Sequence, residues 1–232
     1  MKFMLMIVDD EGAHRPEDDA MIKLYGTARS RAARSLWALE EVGQKYEHVP
    51  ISPLPIGKGD TRKPEFLQIN PNGHIPVLDD NGFVVWEAMA INLYLAEKYG
   101  HHPFWPSAVE GHAGAYQWSL WGETELERHV LTIQVNKMVF SAEQQSDHAV
   151  KNAIDRMKAS LKVLNDHLQT REYLLGKDFT IGDLNVASIW MVGSFTMNLL
   201  GVRFDLSDTP TAEQWFKKCT GREAAEKLLG MK

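Results

Sequence analysis

The chain has 232 residues, 44% hydrophobic and 24% charged, with a formal net charge of −6; this suits one large globular domain or two small ones. The negative balance, with no basic stripe interleaved with aromatics, argues against a nucleic-acid partner, and no apolar run reaches the ~18 residues of a membrane span. The single cysteine, Cys219, excludes an internal disulfide and any CxxC redox or zinc motif, and a cytoplasmic location is expected.

Residues 3–8 read as a strand and residues 9–20, rich in Asp, Glu and Pro, as a loop; together residues 1–20 form an N-terminal extension to which no function is assigned. Met1 to Val8 is short and is followed by Asp9-Asp10-Glu11, which is not the pattern of a signal peptide. Ile22 to Tyr25 is a short strand closed by Gly26. Ala33, Leu36, Trp37, Leu39 and Val42 keep a helical period over residues 31–42, and Gly43 is placed to end that helix. A second strand spans 46–51, a loop 52–64 and a helical turn 65–69. Strands at 77–79 and 83–86 form a hairpin across Asp80-Asn81-Gly82, and a helix follows over 88–99. The order is βαβ, then ββα. After a linker at His101-His102-Pro103 the sequence is helical to its end, with breaks near 141–146, 171–179 and 201–210. Thr180-Ile181-Gly182-Asp183 has the form of a capping box, a device that stabilises a helix start and needs no chemical role.

Asn70 to Leu78, followed by Glu87-Ala88, is the stretch most suggestive of binding. It sets a tight turn and an Ile75-Pro76 peptide before an apolar strand. An X-Pro bond at that place is a candidate for the cis form, with the Ile75 N–H and C=O turned outward to pair with an extended peptide. The helix opening at Glu87 offers free N–H groups to an anion. One segment could grip a small peptide and its terminal carboxylate.

Taken together, Lys23-Leu24-Tyr25-Gly26, Ser30-Arg31-Ala32-Ala33-Arg34, Trp37 to Gly43, Asn70 to Leu78, Trp86 to Gly100 and the box at Thr180 resemble the cytosolic glutathione S-transferases, in particular bacterial, phi- and theta-like members of the serine type. The resemblance runs from residue 22 to about 229. It implies a thioredoxin-like domain over 21–101 and an all-helical domain over 102–232, with glutathione as cosubstrate and a homodimer as the assembly. It also implies conjugation of glutathione to small hydrophobic electrophiles. A peroxidase, isomerase or dehalogenase using the same cosubstrate, or a non-catalytic binding module, remains open.

The resemblance assigns roles by position. Ser30 would donate a hydrogen bond to the cosubstrate thiolate, the reactive form of a thiol; its other reading is a plain helix cap, and Thr27 is the runner-up hydroxyl. Arg31 stands where beta-like members carry cysteine, which excludes mixed-disulfide chemistry there. Ile75, with Pro76 fixing the bend, would bond the cysteinyl backbone beside His74, and Glu87 would meet the γ-glutamyl ammonium. Ala88 stands where the family carries Ser or Thr, so only its backbone N–H is left for the γ-glutamyl carboxylate. Arg62, or Lys63 after it, would meet the glycyl carboxylate. Trp118 and Trp121, near Glu125, are expected on the wall of the second-substrate site, as are Trp190, Met191, Phe195 and Met197; helix-bundle core is the alternative for each. No metal site is expected: none of the nine histidines falls in a dense ligand pattern, and neither a phosphate loop nor a GxSxG elbow is present.

Overall fold

The computed structural model of the chain describes residues 21–55, 57–202 and 204–230. The extension expected over 1–20 lies outside the described residues.

β1 (Ile22–Tyr25), β2 (Tyr46–Val49), β3 (Val77–Asp80) and β4 (Phe83–Trp86) form one sheet in the order β2-β1-β3-β4. β2 runs parallel to β1, so a crossover must join them, and α1 (Ala32–Val42) supplies it. β1 and β3, and β3 and β4, are antiparallel. The β3–β4 turn needs only Asn81 and Gly82, whose φ angles of 56° and 89° have the hand that matches strand twist. β2 stops two residues short of the expected end because Pro50 has no N–H for the ladder. α2 (Pro64–Ile69) and α3 (Ala88–Tyr99) complete this thioredoxin-like unit.

Leu24 and Leu78 face each other across β1 and β3 and are fully buried. Every residue of α1 from Ala32 to Leu39 is buried as well. The reason is topological: α3, α7 and α9 all pack against α1. Even Arg34 and Ser35 are enclosed.

The remainder is an all-helical domain. α4 (Val109–Trp121), a π-helical turn (Gly122–Glu127) and α5 (Arg128–Met138) make one continuous rod, followed by α6 (Asp147–Leu168), α7 (Ile181–Leu199), α8 (Pro210–Thr220) and α9 (Glu223–Gly230). The gaps between α5, α6, α7 and α8 fall at the expected breaks. Asp183 accepts from the Thr180 N–H (2.9 Å), the return bond of a capping box, and from the Thr180 hydroxyl (2.9 Å). It also accepts from Leu174 N (2.8 Å) and Trp215 Nε1 (3.0 Å), tying the start of α7 to the preceding loop and to α8. Burial still pushes its carboxyl above the ordinary range, against those four hydrogen bonds. A buried chain joins the two domains: Asn92 of α3 donates to Asn185 of α7 (2.9 Å), and Asn185 donates to Ser119 of α4 (2.8 Å).

Candidate active site

Two cavities open where the thioredoxin-like unit meets the helical rod. The larger, about 770 Å³, lies between the β1–α1 loop and the faces of α5 and α7. The smaller, about 150 Å³, continues past Ile75 and Pro76 to the start of α3.

Ser30 lies on the wall of the larger cavity, just ahead of α1. Its Oγ–H donates to the Thr27 carbonyl (2.7 Å), and its oxygen accepts from Ala32 N–H (3.1 Å). The hydroxyl therefore helps satisfy the open first turn of α1, as the cap reading requires, while it faces the cavity. Its proton is shared with a carbonyl, a partner it can exchange for a better acceptor by rotation about one bond. Thr27, Arg29 and His48 line the same wall. His48 Nε2 is 2.6 Å from the Gly26 carbonyl oxygen, a contact that needs the proton on Nε2.

The Ile75–Pro76 peptide is cis. Among the described residues the Ile75 N–H and C=O bond no other backbone group, so this edge is open to an extended ligand. The preceding loop is braced by Asn70, which donates to His74 O (2.9 Å) and accepts from Asn72 N (3.0 Å). His74 and Ile75 line both cavities.

Glu87 and Ala88 line the smaller cavity. Glu87 has φ of 76°, a conformation that costs a non-glycine residue on the order of 1–3 kcal/mol and concentrates at functional sites. It directs the start of α3 toward the cavity. The first N–H groups of that helix have no intrahelical partner.

The opposite wall comes from the π-helical turn. Glu127, buried, is held by Arg34, also buried, and by Arg31 at 2.7 Å. Burial alone would raise the Glu127 carboxyl; the two guanidinium charges overcome it and hold it below the ordinary range. Glu123 sits 3.6 Å from Arg34. Burial, with the Glu127 charge beside it, pushes Glu123 up to about 7. The π geometry turns both carboxylates into the cleft.

Several expected residues stand elsewhere. Arg62 lines neither cavity; exposed, it donates to Asn72 O (3.3 Å) and braces the turn before Gly73. Lys63 is paired with Asp60 at 2.8 Å. Trp118 is core: its ring packs on Trp121 (5.1 Å) and His167 (4.6 Å), between α4 and α6, and neither tryptophan reaches the cleft. Trp190 packs on Phe204 and Phe216, and Val192 and Thr196 are the α7 residues on the wall. The helical period was legible, but its phase relative to the cleft was not. Leu131, Val135 and Met138 of α5, with Val139 just after it, supply the apolar wall and went unread. The one available signal was the i, i+4 pair Glu123 and Glu127 opposite Arg31 and Arg34 at the head of α1. Tyr25 packs edge-on against Phe66 and is not on the wall.

Among the described residues no group of three or more His, Cys, Asp or Glu side chains could hold a metal ion, and no helix is long and apolar enough to cross a membrane.

Both domains of the chain are similar to those of known proteins. Residues 20–97 match the glutathione S-transferase N-terminal domain, and residues 129–223 match the C-terminal domain. Glutathione S-transferase D7 of Drosophila melanogaster is 32% identical over 163 residues, 69% of this chain and 67% of that one. Glutathione S-transferase GstB of Escherichia coli K12 is 27% identical over 90% of this chain and 98% of its own. The crystal structure of glutathione transferase URE2P6 from Phanerochaete chrysosporium, in complex with oxidized glutathione, superposes with a TM-score of 0.78 at 27% identity, covering 92% of this chain and 97% of that one. With both domains matched, and an open Ile75 edge facing a serine at the head of α1, the chain belongs to the glutathione S-transferase family.

Proposed function

We propose that the chain binds glutathione along the Ile75 edge and conjugates it, through its sulfur, to small electrophiles with an apolar body. What supports this most is the Ser30 hydroxyl opening into the same cavity as the unpaired Ile75 backbone. The cysteinyl backbone pairs with the Ile75 N–H and C=O, and Pro76 fixes the bend. The γ-glutamyl end meets Glu87, and its carboxylate lies at the free N–H groups of α3, beginning with Ala88. His74 stands beside the peptide.

The thiol must lose its proton to react. Ser30 Oγ–H turns from Thr27 O to the sulfur and, with the N-terminal end of α1, favours the thiolate. A hydrogen bond to a charged acceptor is worth about 1.5–3 kcal/mol, which lowers a thiol pKa by roughly one to two units. The sulfur lone pair then forms a C–S bond to the electrophile and the leaving group departs with its bonding electrons; the thiol proton goes to solvent. The electrophile's apolar part lies against Leu131, Val135 and Met138. As a working assembly we propose a homodimer, and as its location the cytoplasm.

One residue favours a second reading, a non-catalytic glutathione-binding or regulatory module: Ala88 lacks the hydroxyl the family uses to hold the γ-glutamyl carboxylate. Calorimetric titration with glutathione and turnover of 1-chloro-2,4-dinitrobenzene separate the two. The enzymatic reading expects saturable binding, a bound thiol that ionises at least about one unit lower than in solution, and conjugation. Binding without turnover of chloronitrobenzenes, hydroperoxides or haloalkanes supports the module, and no binding at tens of millimolar overturns both.

A further inference from the structure

The smaller cavity gathers more carboxyl groups than its own wall has guanidinium groups to pair with them. Glu87 faces it from the thioredoxin-like side, and Glu123 and Glu127 from the helical side; only Arg31 and Arg34 oppose them, so three carboxylates meet two guanidinium groups. Both guanidinium groups are committed to Glu127. Glu123 has only the outer flank of Arg34, at 3.6 Å. Arg34 is 2% exposed and lines this cavity, yet its Nε has no partner among the described residues. The cavity wall thus carries a carboxyl group, Glu123, that no guanidinium holds closely, beside the guanidinium of Arg34. That pairing suits a zwitterion. At ~30 Å³ per water molecule, 150 Å³ accommodates roughly the five heavy atoms of an α-amino-acid head group.

Accepting glutathione as the cosubstrate, we propose that Glu123 of the helical domain is the receptor for the γ-glutamyl ammonium, across the cleft from Glu87, and so supplies the anchoring that Ala88 cannot. The thioredoxin-like unit alone would hold this end of the peptide weakly. The π-helical turn brings a second carboxylate to it from the same chain. Glu123 then recognises the free α-amino group and selects against peptides that lack it. The near-neutral carboxyl of Glu123 gives the step a proton count: an arriving ammonium displaces the proton that Glu123 otherwise shares with Glu127. The other charged or titratable groups facing this point are Glu87, His74, Arg31 and Arg34.

The test compares glutathione with glutaryl-cysteinylglycine, which differs only in lacking the α-amino group, by calorimetry on the full chain. Wild type is expected to bind glutathione about tenfold or more tightly, and Glu123→Gln to bring the two ligands level by weakening glutathione alone. Glu123→Asp, which keeps the charge, retains part of the preference. Equal weakening of both ligands by Glu123→Gln means a purely structural carboxylate and overturns the proposal. So does a preference that survives in Glu123→Gln, which leaves Glu87 as the receptor. Should Glu123→Gln fail to fold, wild type suffices: in two buffers of different ionisation enthalpy near pH 7, glutathione must release more protons than its des-amino analogue, and equal counts overturn the assignment. A wild type that binds neither ligand overturns the glutathione reading itself; one that binds both equally overturns only the role of Glu123.

Discussion

The Ser30 hydroxyl donates to the Thr27 carbonyl at 2.7 Å while its oxygen takes the Ala32 N–H at 3.1 Å. The same group that would steady a thiolate therefore also closes the head of α1. Ser30→Ala is expected to lower kcat/KM by about ten- to a hundredfold and, separately, to cost about 0.5–2 kcal/mol of stability as a lost cap. Steady-state kinetics and a thermal melt measure the two effects. Full activity in the variant would move the thiol-activating role to another group, with Thr27 first in line.

Restoring a hydroxyl at the start of α3 should tighten glutathione binding. Ala88→Ser places a donor beside the γ-glutamyl carboxylate at a position that is 6% exposed and already faces the small cavity. Such a bond is worth about 1.5–3 kcal/mol, so Kd should fall about tenfold or more. A Kd that rises or stays the same would show that the carboxylate lies elsewhere.

The stability of the cleft depends on pH through Glu123. Its folded pKa, about 7, lies above its unfolded value, 4.5. Between these values the folded state holds the extra proton, so stability falls as pH rises, and the loss is complete above about pH 7. Glu123→Gln removes this loss. The variant should match wild type below about pH 4.5 and unfold at higher denaturant concentration above about pH 7. Denaturant melts at several pH values would show it, and a variant less stable than wild type at alkaline pH would contradict it.

Val135 lines only the larger cavity. Val135→Trp should raise KM for a dinitrobenzene electrophile by about tenfold through lost volume, with glutathione Kd changed by less than about twofold. Parallel loss of both affinities would mean that the two cavities are not separate subsites.

Asp183→Ala leaves the Leu174 and Thr180 N–H groups and Trp215 Nε1 without an acceptor in the core. At about 1–3 kcal/mol for each orphaned donor, a loss of at least about 3 kcal/mol is expected. That corresponds to a drop in Tm of roughly 6–12 °C. Kinetic constants measured well below the transition should stay near those of wild type.

The four strands, α1, the turn at Gly73 and the breaks between the later helices were legible because each rests on local chemistry: apolar period, proline, glycine, or a capping side chain. Ser30, His74, Ile75, Glu87 and Ala88 fall together on the cavity walls for the same reason, since they sit within short segments whose turns the sequence dictates. The helical wall was read in the wrong phase. Trp118 and Trp121 have helical spacing, yet which face of α4 meets the cleft is decided by how the rod packs on α6 and α7, and that is long-range information. The π-helical turn adds to the difficulty, because a widened turn shifts the phase of the helix that follows it; Glu123 and Glu127 line the smaller cavity and Glu125 does not. Arg62 misled for another reason: a basic side chain in a loop is as readily used to brace a neighbouring turn as to meet a ligand.

Glu41, at the last turn of α1, takes the Trp37 indole at 3.0 Å and the Arg222 guanidinium twice, at 2.7 and 2.8 Å. Arg222 immediately precedes α9, so the final helix of the fold grips the rear end of the helix whose front end carries Ser30. The helix that Ser30 heads is thus tied down nearly two hundred positions downstream of that serine. A truncation that took away Arg222 and α9 would leave Glu41 and the rear of α1 without this clamp.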